Sequence, residues 1–253
     1  MDNWRRRALT ALLLLAIVGC ASSGSDPSPQ PAESSPEVST VTAESIRQRE
    51  IEQHVDKIMD KATIAELWIT PALRFLTERR GGELVGLEHR LKTRQSVTRK
   101  LSSEIAESPD TPLVRLRIED AVRYTIVIED VPPGHHDESI HEILEIMDGV
   151  GHDVSWVKNF WPEADDYSGV NSVLMAPNGT FWELQFHTPE SLATKEKTHV
   201  YYEEFRLPST SIERKRELFE TMAKYWEEVS IPEGILEPGS LHETEELRQR
   251  PPP

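Results

Sequence analysis

Lys92, Ser96 and Lys100 stand four residues apart, and Arg99 falls between the last two. On a helix these side chains share one stripe. Cations and a hydroxyl crowded on one stripe repel unless an anion sits among them. A polyphosphate suits them, because ammonium, guanidinium and hydroxyl donors match its oxygens. A solvated charged face is the plainer reading of the same run. A second pattern lies at Thr180 to His187. Strand alternation puts Trp182, Leu184 and Phe186 on one face and Glu183, Gln185 and His187 on the other. A polar row within an apolar strand needs partners or a ligand, unless the strand lies at a wet edge. Glu183 could hold a divalent cation, with Asp120 as a second carboxylate from just ahead of another strand. Mg²⁺ is commonly held by one or two carboxylates together with substrate phosphate oxygens.

The elements that must position these residues follow from periodicity. Thr42 is a plausible N-cap for a helix to about Asp60, with Ile51, Val55 and Ile58 inward. A second helix is expected from about Ile64 to Arg79, with Pro71 opening a turn and Gly81-Gly82 stopping it. A third covers about Leu91 to Glu104 and would carry the basic stripe. Strands are expected at Tyr124 to Glu129, Val154 to Phe160, Asn171 to Met175 and Thr180 to His187. Helices are expected at Ser139 to Met147, Pro189 to Glu204 and Ser211 to Val229. This order implies an α+β domain whose central mixed β-sheet is flanked by helices.

The chain has a formal net charge of -16, which argues against a general nucleic-acid binder. Its single cysteine excludes an intramolecular disulfide and a multi-cysteine metal site. Arg5, Arg6 and Arg7 precede an apolar run from Ala8 to Gly19, short for a membrane span and suited to a signal peptide. The run ends in Ile17-Val18-Gly19-Cys20, which resembles the lipobox of bacterial lipoproteins and implies lipidation of Cys20. Export to the cell envelope with a membrane anchor follows from that resemblance. Ordinary secretion is the plainer alternative. The segments are therefore 1–19 as signal peptide, 20–41 as lipidated cysteine and flexible linker, 42–230 as the folded domain, and 231–253 as an acidic, proline-rich tail.

Together these pieces resemble the synthetase domain of the RelA/SpoT-type alarmone synthetases, which transfer pyrophosphate from ATP to a nucleotide 3′-hydroxyl. Arg90, Lys92, Ser96 and Lys100 match that family's Arg-x-Lys-Ser-x-x-Ser-x-x-x-Lys element, with Thr93 in place of its first Ser. Asp120 matches its acid ahead of a strand, Gly169-Val170-Asn171-Ser172 its turn, and Glu183-Leu184-Gln185-Phe186-His187-Thr188 its Glu-Ile-Gln-Ile-Arg-Thr strand. His199 stands at the spacing of its histidine. The resemblance covers about residues 45 to 207 and implies the nucleotidyltransferase-like alarmone-synthetase fold.

It also implies roles. Arg90, Lys92, Ser96, Arg99 and Lys100 would grip ATP phosphates, Asp120 and Glu183 would hold Mg²⁺, and Gln185 and His199 would line the acceptor side. The pattern departs at Val170, where the family has a stacking Tyr, at His187 in place of Arg, and at Thr125, with Arg123 close by as a substitute. Lys158, Asn159, Tyr167, Asn171 and His187 are candidates for rebuilding the acceptor side. An exported member looks most like secreted nucleotide 3′-pyrophosphokinases acting on a purine nucleotide. The alternatives are an anion- or nucleotide-binding lipoprotein without turnover, a protein that contacts another envelope component, and a toxin-like member acting on nucleotides or tRNA 3′ ends. Like charges at Asp120 and Glu183 lead to the expectation that neither carboxylate contributes to stability.

Overall fold

A computed structural model describes residues 43–163 and 167–237. Cys20, the export segment, the linker and the final residues lie outside the described residues.

One helix, α1 (Ala43–Arg79), runs where two were expected. Ile51, Val55, Ala62, Ala65, Ile69, Leu73 and Leu76 are all buried and keep one apolar stripe unbroken. The stripe passes the expected break on alanines, whose weak hydrophobicity hides the signal. Pro71 lies inside α1 on its exposed side, where water can satisfy the carbonyl that loses its helical partner. Gly81, at φ 66, closes α1: Gly82 N–H donates to Thr77 O at 2.9 Å and Gly81 N–H to Glu78 O at 3.0 Å. A Cβ on Gly82 would stand 2.7 Å from both Val127 O and Ile128 Cγ1, so only glycine lets the chain turn directly into the sheet.

The sheet has five strands in the order β1-β2-β5-β4-β3. They are β1 (Glu83–Val85), β2 (Val122–Val127), β3 (Asp153–Asn159), β4 (Val170–Met175) and β5 (Phe181–His187). Only β2 and β5 are parallel; the other pairs are antiparallel. The expected α+β class with one mixed central sheet is what the chain forms. β1 has no counterpart among the sequence-based strands, because three residues are too few to show alternation.

Four more α-helices lie among the described residues: α2 (Arg94–Glu107), α3 (His135–Gly149), α4 (Pro189–Phe205) and α5 (Ile212–Trp226). The core face of the sheet carries Tyr124, Ile126, Trp182, Leu184 and Phe186, all at most 1% exposed. Tyr124 meets Trp182 edge-on at 5.9 Å, and its hydroxyl lies 2.7 Å from Thr70 of α1, which fixes α1 on this face.

The domain does not end at residue 230. Val229 and Ile235 are buried, Asn159 Nδ2 donates to Ile235 O at 2.7 Å, and Glu233 N–H donates to Asp130 at 2.8 Å. Acidic composition around these residues masks two apolar anchors.

Candidate active site

Register assembles the opposite face of the sheet. Arg123 pairs with Glu183, Thr125 with Gln185 and Val127 with His187 across β2 and β5. Asn171 pairs with Gln185, and Lys158 with Asn171, across β4 and β3. Side chains directly opposite one another share a face, so Thr125, Gln185, Asn171 and Lys158 form one polar row over the sheet. β5 lies between β2 and β4, which removes the wet-edge reading of its polar residues.

Gln185 ties this row to Glu183 on its own strand and to α4. Gln185 Nε2 donates to Glu183 Oε1 at 2.9 Å, and Gln185 Oε1 accepts from Lys195 Nζ at 2.7 Å. Lys195 comes from α4, whose start is fixed by a reciprocal cap between Thr188 and Ser191. Burial first, and Arg123 next, lower the Lys195 pKa to about 8; Glu183 and Glu196 pull the other way.

His187 is wholly buried, and its pKa lies well below the usual value through burial, Lys195 and His136. The imidazole is therefore neutral. Ser191 Oγ lies 2.9 Å from Nδ1, while Lys195 Nζ stands 3.3 Å from Nε2. An ammonium only donates, so Nε2 is the acceptor and Nδ1–H donates to Ser191. Tyr167 O–H donates to Asn171 Oδ1 at 2.9 Å and lies 3.0 Å from Nε2. Phe160, His187 and Trp226 meet the Tyr167 ring at steep angles. A Cβ on Gly169 would stand 2.8 Å from His187 Cε1 and 2.9 Å from the Tyr167 hydroxyl, so this turn takes only glycine.

The basic run departs from its expected form. α2 begins at Arg94, because Thr93 caps it by accepting from Ser96 N–H at 3.2 Å. Lys92 is thus not helical. It lies in an extended segment whose N–H donates to Ala121 O at 3.0 Å, beside the bridge between Leu91 and Val122. Leu91 shares the core face of Val122, and the pleat turns Lys92 to the face of Arg123 and Glu183. Lys92 and Lys100 still converge: their ammonium groups lie 2.9 Å and 2.8 Å from the two oxygens of Asp120. The anion among these cations is a side chain of the protein itself.

Ser96 and Arg99 diverge from this pair and line a surface hollow with Arg94, Gln95 and Thr98. The single stripe is therefore split in two. Arg90 reaches back to α1, where its Nε donates to Glu66 at 2.6 Å. Burial raises the Glu66 pKa, but Arg90 and Thr70 outweigh it, and the net shift is downward.

The other site candidates hold contacts of their own. Lys158 Nζ sits 4.5 Å over the Phe160 ring. Asn159 is committed to Ile235 and to Trp161 N–H, which makes it a structural clamp. His199 is exposed on α4, one turn beyond Lys195. Sequence reasoning missed Lys195, although Ser191, Lys195 and His199 repeat the four-residue spacing that drew attention to the basic run.

Among the described residues no group of three or more His, Cys, Asp or Glu side chains is arranged to hold a metal ion. Asp120 and Glu183 offer two hard carboxylates, the donor type Mg²⁺ takes when phosphate and water complete its shell. Each Asp120 oxygen keeps a lone pair beyond its bond to lysine. The donor set fits.

No protein-family model matches the sequence. No curated protein matches it either. Solved structures do overlap it. The type VI effector Tas1, solved in complex with its immunity protein, is 21% identical and covers 69% of this chain and 95% of its own, with a TM-score of 0.48. A GTP pyrophosphokinase family protein from Streptococcus pneumoniae is 14% identical over 70% of this chain and 88% of its own, with a TM-score of 0.46. Small alarmone synthetase 1 from Bacillus subtilis, bound to its product pppGpp, is 12% identical over 68% of this chain and 90% of its own, with a TM-score of 0.47. The chain is similar to each of these over about two thirds of its length, at low sequence identity.

Proposed function

We propose that the chain is an exported, lipid-anchored pyrophosphotransferase of the RelA/SpoT type that moves pyrophosphate from ATP to the 3′-hydroxyl of a purine nucleotide. The observation that carries this reading is the polar row Glu183-Gln185-His187. It lies inside the sheet on β5, tied to Lys195 and paired in register with Arg123. In the transfer, the acceptor oxygen bonds to the β-phosphorus as the bond to the α-phosphate oxygen breaks, and AMP leaves. Such a reaction needs positioning and charge neutralisation more than covalent catalysis.

Lys92 and Lys100 supply two partly buried cations held by Asp120. A polyphosphate draws both to its own oxygens and releases the carboxylate. Asp120 and Glu183 would hold Mg²⁺, which neutralises charge on the transferred group. Arg123 and Lys195 place further positive charge at the row, and Gln185 orients Glu183 through its amide. The motif order around Arg90, Asp120, Glu183 and His199 supports the family assignment, and Cys20 after Ile17-Val18-Gly19 supports the anchor.

The test is incubation of the folded domain with γ-labelled ATP, Mg²⁺ and a panel of nucleotides and tRNA, read as AMP release and a new labelled product. Glu183→Gln is expected to reduce AMP release by orders of magnitude with little change in melting temperature. Unchanged release in that variant overturns the assignment. ATP binding without turnover on any acceptor makes the chain a nucleotide-binding lipoprotein instead.

A further inference from the structure

A groove of about 540 Å³ lies between α1 and the β4–β5 turn, at the end of the sheet where β5 begins. Its lining holds His54, Lys57, Lys61 and Arg117 and no acidic residue. The chain as a whole has 44 Asp and Glu against 28 Lys and Arg. Four basic groups without a single acid therefore run against its composition. Lys57 and Lys61 stand one turn apart on the exposed side of α1, and neither forms an ion pair among the described residues. Lys61 Nζ lies over Gly179, 3.7 Å from where a Cβ would stand. The floor is apolar, with Leu116, Ile118 and Phe181, and the Arg117 guanidinium rests 4.8 Å above the Phe181 ring.

Two further polar groups belong to the same lining. His54 Nε2 and Thr180 Oγ1 are buried without a hydrogen-bond partner. Burial and then Lys57 lower the His54 pKa, against an upward pull from the Leu116 backbone, so the ring is neutral. A neutral imidazole still hydrogen-bonds through each nitrogen, so Nε2 is an open hydrogen-bonding position. A buried polar atom left so is destabilising. The groove thus offers cations at its mouth, an apolar floor and an unused hydrogen-bonding nitrogen. Its volume lies in the range of small-molecule sites.

We infer that this groove binds a small organic phosphate with a flat ring body carrying hydrogen-bonding edge groups, the chemistry of a nucleoside monophosphate. The phosphate meets Lys57 and Lys61, and the ring system lies over the apolar floor. The site uses neither Asp120 nor Glu183, so it stands whether or not the chain transfers pyrophosphate.

The test is an NMR titration of the ¹⁵N-labelled domain with AMP, adenosine and inorganic phosphate in turn. AMP is expected to move the amides of Lys57, Lys61 and Gly179 saturably, and to bind there more tightly than adenosine or phosphate by about tenfold each. Lys57→Gln combined with Lys61→Gln is expected to weaken AMP at these amides by about tenfold or more, leaving any shifts at Gln185 in place. Both lysines are exposed, so the double variant keeps its fold, which its melting temperature checks. The inference is overturned if AMP leaves these amides unmoved at millimolar concentration. It is equally overturned if phosphate or adenosine alone matches AMP, or if the double variant binds AMP unchanged.

Discussion

Lys195 and Asp120 set the electrostatics of the site from opposite directions. Burial and Arg123 hold the Lys195 pKa at about 8 against a usual 10.5. Above pH 8 the unfolded chain binds the extra proton, so this group adds stability as pH rises from about 8 toward 10.5. A ¹³Cε titration is expected to show Lys195 releasing its proton near pH 8. Arg123→Gln is expected to move that midpoint upward, because a neighbouring cation is gone; a fixed or falling midpoint contradicts the assignment. Asp120 is the converse. Burial raises its pKa, but Lys100 and Lys92 outweigh that, and the net shift is downward from 3.8. Its contribution to stability is present above the unfolded value and disappears as pH falls through the lower folded value. The expectation that removing either carboxylate leaves folding untouched therefore fails for Asp120. It neutralises two ammonium groups, Lys92 and Lys100. Asp120→Asn is expected to cost about 1.5–3 kcal/mol near pH 7 by urea unfolding, and the loss should vanish in acid below the folded pKa. Equal stability of the two chains at pH 7 would remove the clamp from this account.

At the scale of elements, caps and small residues decide what periodicity leaves open. Ser191 accepts from Thr188 N–H at 3.1 Å and receives the Nδ1–H of His187, so one hydroxyl both starts α4 and aims the imidazole. Ser191→Ala orphans two buried donors. It is expected to destabilise by roughly 2–4 kcal/mol and to disturb the ¹⁵N shifts of His187, whereas Ser191→Thr is expected to restore part of both. A lone change in stability with an unaltered His187 spectrum would show that the cap alone matters. The strands around the site were legible because Trp182, Leu184 and Phe186 alternate with Glu183, Gln185 and His187. Lys92 was misplaced because its spacing to Lys100 is helical, while the Thr93 cap that starts the helix after it gives no periodic signal. The union of two expected helices into α1 was hidden by Ala62 and Ala65, whose burial only the tertiary structure reveals. Lys195 escaped because nothing in the sequence tells that its helix folds back over β5.

Across the whole molecule, the last described segment acts as a strap over distant elements. Ser230 N–H donates to Glu190 at the start of α4, Glu233 N–H to Asp130 after β2, and Ile235 O accepts from Asn159 at the end of β3. Ile235 itself is 1% exposed and Val229 8%. Asp130 also accepts from His136 N–H through its other oxygen, so the strap shares its anchor with the first turn of α3. The strap therefore joins three elements that no single neighbouring contact joins, and its loss should be felt by all of them. A chain ending at residue 230 is expected to be less stable than one ending at 237. Burial of Ile235 alone is worth about 1.5–3 kcal/mol, and each lost hydrogen bond adds about 1 kcal/mol. For a domain of this size a loss of that order lowers the melting temperature by roughly 5–15 °C. Ile235→Ala in the longer chain is expected to reproduce about half of the loss, since it deletes the side chain and keeps the backbone bonds. Hydrogen exchange locates the effect: the amide of His136, which shares the Asp130 anchor, should lose protection in the shorter chain while those of β5 keep theirs. Equal melting temperatures for the two chains would mean that the strap rests on the domain without holding it.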